Sequence, residues 1–111
     1  MRYAIAALLF ATAALVAVPA YANGKYLRFN EILIVEVLAG KLFCTGAESG
    51  FKVCLGLQQK NNANYFGDKF RFPDSPNQQF TGTISFSGDK AKVKACVTGT
   101  KDCRRETWYR Q

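Results

Sequence analysis

Two cysteine pairs, each bracketing a turn, constrain this chain more than any other feature. In KACVTGTKDC the turn residues Gly99-Thr100 lie midway between Cys96 and Cys103. A two-residue type II′ loop between Thr98 and Lys101 sets those cysteines directly opposite each other on antiparallel strands. In CTGAESGFKVC a three-residue loop, Glu48-Ser49-Gly50 with Gly50 left-handed, does the same for Cys44 and Cys54. Facing residues on such strands have Cα atoms roughly 4.5–5.5 Å apart, within the range a disulfide spans. The registers therefore predict two hairpin disulfides, Cys44 with Cys54 and Cys96 with Cys103. Each should contribute roughly 2.5–3 kcal/mol on the chain-entropy account.

A metal or redox reading of the same cysteines fits less well. Structural zinc sites draw on closely spaced pairs such as C-x-x-C, and the chain contains no histidine to complete a mixed site. A redox pair also favours C-x-x-C, at a helix start. No metal and no cofactor is expected.

Disulfides imply an oxidising compartment, and the N-terminus supplies the route. Arg2, the apolar run from Ala4 to Val18 and the small-x-small ending Ala20-Tyr21-Ala22 have the layout of a secretory signal over residues 1–22. The run is shorter than the ~20 apolar residues that cross a bilayer, so a membrane anchor is not expected. Residues 23–111 then form one β-rich domain, periplasmic or secreted. The net charge of +7 falls by one with Arg2, and the remainder should be soluble and drawn to anionic surfaces.

Short β-rich runs recur between turn residues, at 25–29, 32–38, 41–47, 51–57, 64–72, 80–86, 90–98 and 101–109. Such spacing predicts an all-β domain, a small antiparallel β-barrel or sandwich. Ile32-Leu33-Ile34-Val35 reads as a strand because its residues are largely β-branched. Gln58 to Asn64 reads as a loop, and Pro73-Asp74-Ser75-Pro76-Asn77 as a turn, since prolines interrupt pairing.

Ser87-Gly88-Asp89-Lys90 predicts a further type II′ hairpin in which Phe86 faces Ala91 and Ile84 faces Val93. The opposite face carries Thr83 and Ser85 against Lys94 and Lys92. One side is thus apolar, and the other, with Lys90, Lys92 and Lys94, is basic and solvent-facing. Extending this alternation past Cys96 directs Arg104, Glu106 and Trp108 inward. Burying two charges costs several kcal/mol unless they pair. A β-bulge near Cys103 or an open sheet end that turns Arg104 outward is the preferred solution, with a polar cavity lined by Arg104, Glu106 and Trp108 the alternative.

The segment FRFPDSPNQQFTGTISFSGDKAKVKACVTGTKDCRRETWYR resembles the closing part of bacterial exported proteins of the domain of unknown function 2147 family. The likeness rests on Pro73, Asp74, Phe80, Gly82, Lys92, Lys94, Cys96, Thr107, Trp108 and Arg110. It implies a small lipocalin-like meander, and the family offers no catalytic residues to carry over.

Catalysis is not expected. The commonest general base, histidine, is missing, no nucleophile elbow or phosphate loop occurs, and Asp68 and Asp74 read as solvated acids. The expected activity is binding in the envelope. An apolar small molecule or lipid would lie among Phe70, Phe72, Phe86, Arg104, Glu106 and Trp108. The alternative is a protein or anionic surface held by Lys90, Lys92 and Lys94. Nucleic acid is not an expected partner for an exported chain.

Overall fold

A computed structural model describes residues 22–111, so the signal-sequence reading, apart from Ala22, lies outside the described residues. Eight strands run in chain order: β1 (Gly24–Arg28), β2 (Glu31–Leu38), β3 (Lys41–Gly46), β4 (Lys52–Gln59), β5 (Asn64–Phe72), β6 (Ser75–Ser87), β7 (Lys90–Val97) and β8 (Cys103–Arg110). Each pairs antiparallel with the next, and β8 returns to β1, closing an eight-stranded up-and-down barrel. Of barrel and sandwich, the barrel is the fold. No described helix is long and apolar enough to cross a membrane.

Alternation sorts the side chains. Tyr26, Leu33, Val35, Leu42, Tyr65, Phe70, Phe72, Ile84, Phe86, Val93 and Trp108 point inward and are buried. Charged, hydroxyl and amide side chains fill most exposed positions, with Phe29, Leu38, Leu55, Phe66 and Tyr109 the large hydrophobic exceptions. At eight strands the lumen is just wide enough for such side chains to fill it. Phe86 meets the rings of Tyr26 and Tyr65 edge-on at 5.5 and 5.9 Å, and Phe72 meets Phe80 at 4.9 Å.

The expected hairpin at Ser87–Lys90 is present in register, with Phe86 opposite Ala91, Ile84 opposite Val93 and Gly88 at φ 62°. Cys96 faces Cys103 and the two are bonded. The connecting turn differs from expectation. Thr100 donates its amide to the Val97 carbonyl at 2.9 Å, and its hydroxyl bonds the same carbonyl at 2.8 Å. That hydroxyl also accepts from the Asp102 amide at 3.0 Å, so residues 98–102 form the loop and β8 starts at Cys103.

Cys44 and Cys54 also face each other, by a different path from the one expected. Gly46 donates to the Phe51 carbonyl at 2.9 Å, a loop one register step from the predicted one. A bulge beside Val53 then takes up the step and restores Cys54 opposite Cys44. The expected pairing of positions is thus met, with both cysteines buried and face to face, although no bond joins them in the structure. Burial, then the contact with Cys44 and the charge of Glu106, push the Cys54 thiol well above its ordinary range.

The turn predicted over Pro73–Asn77 is also corrected. Only Pro73-Asp74 turn; Phe72 pairs with Ser75, and β6 continues through Pro76. Pro76 is tolerated because regular pairing with β5 resumes only at Phe80, opposite Phe70, across a register shift. The predicted loop over Gln58–Asn64 shrinks to residues 60–63, with Asn61 Oδ1 accepting the amides of Ala63 and Asn64 at 3.0 Å each.

Candidate functional site

Inward projection of Arg104, Glu106 and Trp108 is forced by β8, whose register against β7 runs without a break from Cys103 to Tyr109. The preferred bulge near Cys103 is therefore absent, and the charges enter the lumen. Their cost is met by a residue that sequence reasoning passed over. Arg28, the last residue of β1, grips Glu106 with Nε to Oε1 at 2.7 Å and Nη2 to Oε2 at 2.8 Å. Trp108 Nε1 donates to Glu106 Oε1 at 3.0 Å, and Arg104 Nη2 lies 3.2 Å from Oε2. A signal for Arg28 was available: it shares the inward parity of Tyr26.

Arg104 reaches outward from the same cluster. Its two terminal nitrogens bond both oxygens of Asp74 in the β5–β6 turn at 3.0 and 2.9 Å. Its guanidinium also lies 4.2 Å from the Phe72 ring centre. The hydrogen bonds from Arg104 hold the Asp74 carboxyl below its usual range, and the Asp74 contact raises Arg104. The network thus spans the barrel mouth from β1 to the β5–β6 turn. Every charge in it has an opposite partner, so it serves as a brace.

The aromatic residues proposed for ligand contact are brought together as packing. Phe70, Phe72 and Trp108 have no exposed surface, and Phe86 retains 3%. Phe70 and Phe72 lie parallel with centroids 6.2 Å apart. Tyr65 adds a buried hydroxyl without a hydrogen-bond partner, and burial raises its pKa.

The outer face of β6, β7 and β8 is built differently. Pairing aligns three rows across the strands: Ser87, Lys90 and Tyr109; Ser85, Lys92 and Thr107; Thr83, Lys94 and Arg105. Lys90, Lys92, Lys94 and Arg105 are exposed. Between them lies an open depression of about 340 Å³, lined by Thr83, Ser85, Lys92, Lys94, Arg105 and Thr107 among others. The three strands contain a single acid, Glu106, and it points inward. Cations and hydroxyls thus share a surface without a carboxylate from these strands.

Together these features define an antiparallel β-barrel with a braced, packed lumen and a basic outer face. No family model, curated protein or solved structure matches the chain.

Proposed function

We propose that this protein is an exported, non-catalytic binding module that docks on anionic envelope surfaces through the outer face of β6–β8. The observation that carries this reading is the sorting of charge on those strands, with four cations outward and the lone acid inward. Lysines on a sheet often guard an exposed edge. That role has no application here, because β7 is bonded on both sides and the barrel is closed. Flanking hydroxyls add neutral donors suited to phosphate oxygens. An apolar ligand in the lumen has less support, since Phe70, Phe72, Phe86 and Trp108 already pack in the core.

Cosedimentation with vesicles tests the proposal. Binding to phosphatidylglycerol vesicles and not to phosphatidylcholine vesicles is expected, weakening steeply with salt as exposed charges are screened. Replacing Lys90, Lys92 and Lys94 together by Gln should abolish it while the β spectrum persists. Undiminished binding by that variant would overturn the reading. Native mass spectrometry that finds a co-purifying apolar molecule, lost on replacing Trp108, would return the site to the lumen.

A further inference from the structure

A second basic depression lies on a different part of the wall, over β4, β5 and β6. It has a volume of about 250 Å³ and is lined by Lys52, Leu55, Lys69, Arg71 and Gln79. Its shape follows from two irregularities. The bulges of β4 leave Leu55 turned outward at 47% exposure, although its neighbours Val53 and Cys54 are buried. The register shifts of β5 let Lys69 and Arg71 project on either side of buried Phe70. Gln79 spans the gap, its Nε2 donating to the Asp68 carbonyl at 2.6 Å. That bond steadies the rim and leaves the amide oxygen of Gln79 available as an acceptor.

Lys52, Lys69 and Arg71 form none of the ion pairs found among the described residues, which join Arg28, Arg104, Asp74 and Glu106. Three cations line one small concavity, and a dianion bound among them would balance their charge. Arg71 can meet two oxygens of one phosphate, while the lysines act as point charges. An exposed leucine within a cationic ring adds an apolar contact to the same ligand. At this volume the depression suits a small group rather than a polymer.

We propose that this depression is a binding site for a phosphate monoester bearing a short apolar portion, with Lys52, Lys69 and Arg71 holding the phosphate and Leu55 the carbon chain. The site is separate from the lysine rows of β6–β8 and shares no residue with them.

Hexyl phosphate titrated into isotope-labelled protein, with backbone amide shifts followed by NMR, tests the assignment. Saturable shifts are expected around Lys52, Leu55, Lys69 and Arg71, with affinity about tenfold or more above that of inorganic phosphate, because a few methylenes leave water. Leu55→Ser should erase that difference. Lys69→Gln with Arg71→Gln should abolish binding of both probes, and Lys92→Gln with Lys94→Gln should change neither. If the first pair disturbs the barrel spectrum, Lys52→Gln and Leu55→Ser carry the test. Competition by phosphatidic acid vesicles for the same shifts would make the natural source a lipid headgroup; absence of competition would make it a free small phosphate. The proposal is overturned if hexyl phosphate moves none of these amides at millimolar concentration. It is equally overturned if affinity survives loss of Lys69 and Arg71, or falls with loss of Lys92 and Lys94.

Discussion

Glu106 is the residue on which the interior depends, because three donors converge on one buried carboxylate. Replacing Glu106 by Gln keeps its shape and removes its charge, leaving Arg28 uncompensated in the core. We expect a loss of about 3–5 kcal/mol, the range for breaking a buried pair from one side. Arg28→Met should cost a similar amount for the converse reason. Arg28→Met combined with Glu106→Gln should cost less than the sum, with a coupling of about 1–3 kcal/mol, since neither charge remains to be desolvated. Urea unfolding of the four proteins measures this; additive losses would mean that the two groups do not share a site. Half of this arrangement was legible in the sequence. Strand parity directed Arg104, Glu106 and Trp108 inward, whereas pairing with Arg28 joins residues 78 positions apart and depends on barrel closure.

Hairpins are the elements that local sequence specifies best, and the failures are as instructive as the successes. Ser87-Gly88-Asp89-Lys90 was readable because a glycine stands where φ must be positive. The spacing of the runs located the β1–β2 turn to within a residue and the β2–β3 turn at 39–40, but not their geometry, because Phe29 and Ala39 take φ of 54° and 53°, a conformation neither residue type announces. There the twist of paired strands overrides preference. Gly82 illustrates another demand, since its φ is unremarkable and its need is space. A Cβ there would meet the Lys94 carbonyl oxygen and lie 2.6 Å from the Ala95 Cα, both backbone atoms of β7. Gly82→Ala should therefore cost about 1–3 kcal/mol or more, as overpacking does, with faster hydrogen exchange along β6 and β7. Gly88→Ala, with nothing within 4 Å of the added carbon, should cost only the roughly 1–2 kcal/mol of a left-handed alanine. Equal effects of the two would contradict the close approach of β6 to β7.

At the scale of the whole barrel, closure depends on the seam between the first strand and the last. Tyr26 pairs with Arg110 and Leu27 with Tyr109, and Arg110 Nη1 donates to the Asn23 carbonyl at 2.8 Å. Inside the same seam Arg28 of β1 clasps Glu106 of β8, and Arg104 carries the brace to Asp74 across the mouth. The outer link should be visible in acid. Asp74 has a lower pKa folded than unfolded, so its contribution is complete above the unfolded value of about 4 and is lost as pH falls through the folded one. Asp74 is largely exposed, so the contribution should be below about 1 kcal/mol after screening. Asp74→Asn should thus be slightly less stable than the parent near neutral pH and equal to it once the parent carboxylate is protonated. A difference that grows in acid would contradict the assignment.

What the sequence by itself determined is what short range controls. Turn residues, period-two alternation and cysteine spacing specified the strands, the registers of β6–β7 and β7–β8, the Cys96–Cys103 staple and the exposure of the β7 lysines. Those outcomes depend on residues within a hairpin's length, where one slip would exchange the inner and outer faces. The tertiary structure decided the rest: closure into a barrel, the clasp of Arg28 on Glu106, the bulge that brings Cys54 opposite Cys44, and the grouping of Lys52, Lys69 and Arg71. Each depends on strands distant in sequence or on bulges that re-aim a side chain, and no local pattern encodes the partner at which it will be aimed.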